Sequence, residues 1–192
     1  MAIDWKFIGT LEGAGILEGY VPVSETSQSG VTIATGVDLG QATPAEIDGW
    51  AIDEPLKAKL KPYCQLRKQA AVDFLAAHPL TVTRGECDQI DAVVEADYAA
   101  KVAATYNAHA HMAFADLPGR AQTVIVSVAF QYGTNLGTAC PNFWRAAVVQ
   151  DWAGVVRELE NFGDAYRPRR LKEANYLRPI LNPASAMAPA TV

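Results

Sequence analysis

Three residues in the first 40 positions of this 192-residue chain carry the pattern with the most chemistry in it: Glu12, Thr32 and Asp38. Glu12 closes a helix-like run just before Gly13. A helix C-terminus carries partial negative charge, so an acidic residue is disfavoured there, and the same field raises a carboxyl pKa toward the range that suits a general acid. The bland alternative is a solvated surface glutamate. Thr32 and Asp38 fall in the β-rich string VTIATGVD, residues 31–38. Strand alternation puts Thr32, Ala34, Gly36 and Asp38 on one face and Val31, Ile33 and Val37 on the other. The apolar set is expected to face the core and the Thr/Asp set a cleft. A straight strand would hold Thr32 and Asp38 about 20 Å apart, so joint action on one bond requires a bend near Gly36. The alternative for Asp38 is a strand-end aspartate that caps the next turn. Two carboxylates from different elements facing one cleft can hydrolyse a glycosidic bond. One protonates the leaving oxygen, and the other activates water or attacks the sugar.

The elements that must position these groups follow from local patterns. Residues 3–11 read as a helix capped by Asp4 and stopped by Gly13. Residues 13–41 hold the β-rich part, with 20–23 and 31–35 as hairpin arms and 24–30 as the loop between them. Thr43-Pro44-Ala45-Glu46 and Thr83-Arg84-Gly85-Glu86 are capping boxes. The second opens the longest helix, to about residue 109, with Cys87, Ile90, Val94, Tyr98, Val102 and Tyr106 as one apolar stripe. Residues 122–132 are apolar on most sides and read as a buried central helix ended by Gly133. Three shorter helices start at Asn142, Asp151 and Pro168. The Ala/Pro/Ser-rich tail, residues 181–192, reads as disordered. A small sheet with helices segregated to one side predicts an α+β fold, with a small N-terminal lobe at about 12–60 and a larger helical lobe at about 61–180.

Composition narrows the function classes. A net charge of −5 and a pI near 5.2 argue against nucleic-acid binding, which needs a basic face to replace phosphate counterions. The most apolar stretch, residues 124–130, is far short of the roughly 20 residues that span a bilayer, so no membrane insertion is expected. The start MAIDWKF has no apolar signal core, which predicts synthesis in the cytoplasm without a Sec-type export signal. Three widely spaced cysteines without a CxxC predict buried free thiols rather than a disulfide scaffold or zinc ribbon. His109 and His111 stand at i and i+2, which do not share a helix face, so no metal is expected. Nor is a cofactor, since phosphate-loop, GxSxG and HExxH motifs are missing from the sequence. Trp50, Trp144 and Trp152 read as core or interface residues.

The strings LEGAGILEGYVP (11–22) and SGVTIATGVDLGQ (29–41) resemble the pesticin-type muramidase domain, in the superfamily of the T-even phage lysozymes. FQYG (130–133), the QDW helix start at 150–152 and the RR…EA stretch at 169–174 are similar to the helical lobe of the phage enzymes. The resemblance implies a lysozyme-like fold and a Glu/Thr/Asp catalytic set, which maps onto Glu12, Thr32 and Asp38. The phage enzymes carry their aspartate before the TI strand. This chain has none between Asp4 and Asp38, and Glu25 is the backup for the second carboxylate. Thr35 competes with Thr32 but falls on the opposite strand face. By the same resemblance Gln131 and Arg170, or failing that Arg169, are substrate-binding or cleft residues. The alternatives are a core amide for Gln131 and surface arginines at a helix start.

The expected activity is hydrolysis of the β-1,4 bond between N-acetylmuramic acid and N-acetylglucosamine in peptidoglycan, by an inverting course. The expected partner is the glycan strand, with an immunity protein or inhibitor if the chain is an antibacterial effector, and the protein is expected to be a monomer. A phage endolysin released by a holin is favoured over a translocated effector; either acts in the periplasm or on the cell wall. Rival readings are a glycan-binding module without activity and a chitin- or chitosan-type glycosidase.

Overall fold

The computed structural model describes residues 1–13, 15–22 and 29–182. The chain divides into two compact units, Glu12–Asp97 on one hand and Met1–Leu11 with the chain from Tyr98 onward on the other.

The Glu12–Asp97 unit is built on a three-stranded antiparallel meander, β1 (Ile16–Tyr20), β2 (Thr32–Ala34) and β3 (Val37–Asp38). The first hairpin arm therefore lies at Ile16–Tyr20 rather than at residues 20–23. The reason is tertiary. The outer edge of β1 is paired, with the Gly19 N–H donating to the Leu80 carbonyl at 2.8 Å and the Val82 N–H to the Leu17 carbonyl at 2.9 Å. Gly19 fits because a Cβ there would stand 3.0 Å from the Leu80 Cβ and 3.2 Å from Val31. The expected loop falls mostly on residues 23–28, outside the described residues, as does Glu25. Between β2 and β3 the chain reverses through Ala34 (φ 55°) and Gly36 (φ 89°), so the bend expected near Gly36 is a tight turn. After the sheet come α2 (Pro44–Asp48), α3 (Glu54–Leu60), a 3-10 turn (Lys61–Tyr63), α4 (Lys68–Ala77) and the start of α5 (Arg84–Asn107). Both capping boxes form: Glu46 N–H to Thr43 Oγ1 and Glu86 N–H to Thr83 Oγ1 are each 3.2 Å. The core of this unit joins Val31, Ile33 and Leu39 of the sheet region to Leu60, Tyr63, Ala71, Leu80, Val82, Cys87 and Ile90. The small lobe thus extends past residue 60, because the helices after it are needed to cover the sheet.

The second unit is helical. α1 (Trp5–Glu12) is capped by Asp4, whose Oδ1 accepts the Phe7 N–H at 2.9 Å. α6 (Gly119–Tyr132) buries every residue from Ala121 to Ala129 and stops at Gly133 (φ 81°). Around it stand α7 (Leu136–Ala139), α8 (Pro141–Val148), α9 (Trp152–Glu160), α10 (Arg167–Leu177) and a 3-10 turn (Arg178–Leu181). The single turn of α7 is too short to leave a periodic pattern in the sequence. The Asp151 side chain caps α9 through the Gly154 N–H at 2.8 Å. Val102, Tyr106, Phe114, Ile125, Phe143 and Leu159 share one core with α6. All three cysteines are buried free thiols. The tail expectation falls on residues 183–192, outside the described residues, although Leu181 itself ends the last 3-10 turn. Together these features make an α+β, lysozyme-like architecture with a small antiparallel sheet near the N-terminus.

Candidate active site

Glu12 is the last residue of α1, is exposed, and is followed by Gly13 in the left-handed region (φ 97°). The backbone therefore leaves the helix abruptly and enters β1 at Ile16, the partner of Ala34. Four residues of chain reach at most about 14 Å, so Glu12 is tethered near the end of the β2–β3 hairpin.

Thr32 and Asp38 are direct cross-strand partners in the β2–β3 ladder. Opposed residues of an antiparallel pair share a face with Cβ atoms about 5 Å apart, so the tight turn replaces a 20 Å separation by near contact. The two side chains converge on one residue. The Thr32 hydroxyl donates to the Gly30 carbonyl at 3.4 Å, and Asp38 Oδ1 accepts the Gly30 N–H at 2.9 Å. The same Oδ1 accepts the Gly40 N–H at 2.9 Å, while Oδ2 has the Gln41 Nε2 at 3.5 Å. This geometry depends on glycine at both positions. A Cβ on Gly30 would lie 2.2 Å from the Leu66 carbonyl oxygen and 2.5 Å from the Gly40 Cα; one on Gly40 would lie 2.5 Å from that same oxygen. Arg67 fixes the turn from outside, donating from Nε to the Gly40 carbonyl at 3.0 Å and from Nη2 to Gln41 Oε1 at 2.8 Å.

One expectation about this hairpin is corrected. Thr32 does not line an open face: it is only 3% exposed, nearly as covered as Ile33 beside it. β2 is the central strand and all three of its residues are buried, so alternation separates two covered faces instead of a core from a cleft. Asp38 is half-buried. Thr35 is the exposed threonine, and Asp91 of α5 holds it.

Sequence reasoning missed the acidic face of α5. Burial, together with the neighbouring Asp91 and Asp88, pushes the Glu95 carboxyl up to about 7. Burial and Asp91 likewise push the Cys87 thiol up to about 11. The signal was available in part, since Asp88, Asp91 and Glu95 recur at helical spacing on the first long capped helix.

Gln131 and Arg170 belong to the helical unit. Gln131 is half-buried, and its Oε1 is buried without a hydrogen-bond partner among the described residues, so it is not the satisfied core amide of the bland alternative. Arg170 does not have the exposure a substrate contact requires. It is 0% exposed, its Nε donates to Asp164 Oδ2 at 3.0 Å, and its Nη1 pairs with Glu173 Oε2. Its guanidinium lies 4.9 Å from the Phe162 ring and 5.6 Å from the Tyr132 ring. Arg169 is also buried, donating to Glu173 Oε1 at 3.2 Å and to the Ser127 carbonyl at 3.0 Å. Both arginines serve a core ion network, not a helix surface.

The Pesticin family model, described as a bacterial toxin homologue of phage lysozyme (C-terminal), matches residues 2–153. The chain belongs to the Pesticin family. No curated protein matches the chain at a significant level. The Pesticin match spans the whole Glu12–Asp97 unit, including Thr32 and Asp38, and ends within α9. A lysozyme-like Pesticin domain supports glycoside hydrolase chemistry of the muramidase type on peptidoglycan.

Proposed function

We propose that the chain is a peptidoglycan muramidase that cleaves the β-1,4 bond between N-acetylmuramic acid and N-acetylglucosamine with inversion. Glu12, as general acid, gives a proton to the glycosidic oxygen that leaves with N-acetylglucosamine. A water attacks the anomeric carbon of N-acetylmuramic acid from the opposite face, and Asp38 takes the proton that this water loses. Thr32, buried and facing Asp38 across the ladder, positions the carboxylate through Gly30, the residue that both side chains engage. The observation that carries this reading is the cross-strand pairing of Thr32 and Asp38 inside the Pesticin match, a short tether from Glu12. The two oxygens of Asp38 differ in a way that suits a general base. Oδ1 is committed to two backbone N–H groups, while Oδ2 has a long contact to Gln41. Inversion calls for roughly 6.5–9.5 Å between the two carboxyls in the substrate complex.

The context we propose is bacterial cell lysis, as a phage endolysin released by a holin or as a translocated antibacterial effector. The protein acts there as a monomer on the glycan strand, and in the effector case an immunity protein accompanies it.

The engagement of Asp38 by Gly30 and Gly40 favours a second reading as well: Asp38 as a hairpin staple in a domain that binds glycan without cutting it. Glu12→Gln and Asp38→Asn separate the two. Under the muramidase reading both variants keep the wild-type melting temperature and glycan binding, and lose at least about 100-fold in reducing ends released from peptidoglycan. Undiminished clearing of cell-wall suspensions by Glu12→Gln removes the assignment. Glycan binding without released reducing ends in the wild type establishes the second reading. Mass spectrometry of products from peptidoglycan and chitin oligomers identifies the bond.

A further inference from the structure

α5 fixes both chain segments that carry the proposed catalytic groups, and it does so within two turns. Asp91 Oδ1 accepts the Thr35 N–H at 2.9 Å and Oδ2 accepts the Thr35 hydroxyl at 2.8 Å. Thr35 occupies the turn that folds Thr32 onto Asp38, so this two-pronged contact holds the hairpin at its bend. Two turns earlier, Arg84 Nη1 donates to the Gly15 carbonyl at 3.3 Å. Gly15 lies three residues beyond Glu12, within about 11 Å of chain.

The two attachments meet at Gly15. A Cβ placed there would stand 2.6 Å from Cys87 Sγ, 3.2 Å from Asp91 Oδ2 and 3.4 Å from Thr35 Oγ1. Cys87 Sγ is itself 3.6 Å from Asp91 Oδ2, and with its thiol held protonated it donates to that oxygen. The chain leaving Glu12, the hairpin turn and the helix thus touch at one point. The platform beneath them is firm: Cys87 and Ile90 are fully buried, the helix start is capped by Thr83 and Glu86, and Glu86 is paired with Lys59 at 2.5 Å.

We propose that Asp91 is a positioning residue for the hydrolytic reaction: by holding Thr35 against Gly15 it sets the place of the Thr32/Asp38 hairpin relative to the segment that bears Glu12. This rests on the muramidase reading. Such a residue touches no substrate, so its loss should reduce turnover without weakening binding. Misplacing a reacting group by about 1 Å costs up to about 100-fold.

The test is steady-state hydrolysis of purified peptidoglycan by wild type, Asp91→Ala, Asp91→Asn and Thr35→Val, with a thermal melt of each. Asp91→Ala is expected to lower kcat by about 10- to 100-fold with KM within about threefold. Asp91→Asn should restore kcat to within about threefold, because its Oδ1 accepts the Thr35 N–H and its Nδ2 donates to the Thr35 hydroxyl. Thr35→Val, which loses one prong, should fall between them. A folded Asp91→Ala with wild-type kcat overturns the proposal, as does a loss that tracks only the unfolded fraction. Asp91→Asn falling as far as Asp91→Ala also overturns it, since charge rather than position would then be the cause. If Asp91→Ala does not fold, Thr35→Val decides: a lowered kcat at unchanged KM supports the proposal and a wild-type kcat removes it. A wild type that releases no reducing ends removes the muramidase reading and this proposal with it, whereas an active wild type beside an unaffected Asp91→Ala removes the proposal alone.

Discussion

Asp38 and Glu173 are both carboxylates fixed by several donors, and the donors differ in kind. Asp38, in the sheet unit, is held by two backbone N–H groups on a single oxygen. Glu173, in the helical unit, is fully buried and engages both oxygens: Arg169 and Ser127 share Oε1, and Arg170 takes Oε2. Burial raises the Glu173 carboxyl above its ordinary range even though the arginines and Ser127 pull against it. Asp164 shows the opposite balance. Burial works to raise it, and hydrogen bonds from Tyr132, the Tyr166 N–H and Arg170 bring it below the usual range. Backbone donors hold a carboxylate without adding countercharge, and they need glycines where two strands of backbone must come close. Side-chain donors bring countercharge to a buried carboxylate and here occupy both of its oxygens within the fold. The first arrangement suits a group that must act; the second suits one that must hold a fold.

The largest expected effect breaks the helical side of this comparison. Glu173→Ala leaves Arg169 and Arg170 buried without their shared partner. Removing one member of a buried ionic network costs about 3–5 kcal/mol. For a chain of this size that is a fall of roughly 10–15 °C in melting temperature. Differential scanning calorimetry reads it directly. A change below about 1 kcal/mol would mean that solvent reaches the network and that the guanidinium groups find water instead.

The sheet side is broken through glycine. Gly30→Ala puts a methyl group 2.2 Å from the Leu66 carbonyl oxygen, and the atoms crowding Gly40 are backbone as well. Backbone cannot rotate away as a side chain can, so the strands must part, at a cost of about 1–3 kcal/mol. Because Gly30 also donates to Asp38, activity per folded molecule should drop with stability. Gly36→Ala is the contrast. Its Cβ meets nothing within 4 Å, and the cost comes from φ 89° alone. That variant should destabilise by about 1 kcal/mol while leaving the Gly30–Asp38–Gly40 contacts in place. Melting curves and specific activities of the two variants, measured together, separate backbone strain from loss of the clamp.

The same two regions differ in how much of them the amino-acid sequence discloses. The end of α1 at Glu12 was legible because a capping aspartate and a stop glycine bracket it, and both capping boxes were legible because each is a local exchange of two hydrogen bonds. The hairpin around Gly36 was legible as a bend, but not the burial of Thr32, since alternation distinguishes two faces and is silent on what covers them. β1 was misplaced because Leu17, Glu18 and Gly19 look like loop until the chain at Leu80–Val82 pairs with them. Arg170 reads as a cleft residue by resemblance, and its burial leaves no local mark beyond the i+3 relation to Glu173. Asp91 was invisible for a simpler reason: its partner Thr35 lies 56 residues away, and nothing local marks one helix carboxylate as different from the next.

The smallest expected effect sharpens the comparison by adding a third carboxyl, one with neither kind of donor as its main influence. Glu95 is half-buried and raised to about 7, first by burial and then by Asp91 and Asp88. In the unfolded chain it titrates near its ordinary value of 4.5. Between these two values the folded state binds the extra proton. Its contribution to stability is therefore fully present below about pH 4.5 and is lost as pH rises through about 7. The size is of the order of 1 kcal/mol once solvent screening at a half-buried site is allowed for. Glu95→Gln removes the titration. Other carboxyls contribute to the pH dependence of both proteins, so the informative quantity is the difference between the two stability curves. The variant should nearly match the wild type at about pH 4.5, gain on it as pH rises from there to about 7, and remain more stable at pH 8. Urea unfolding across that range measures the difference. A flat difference would place Glu95 in the same class as a solvated surface glutamate, and a difference of opposite sign would mean that an unseen donor holds its ionised form.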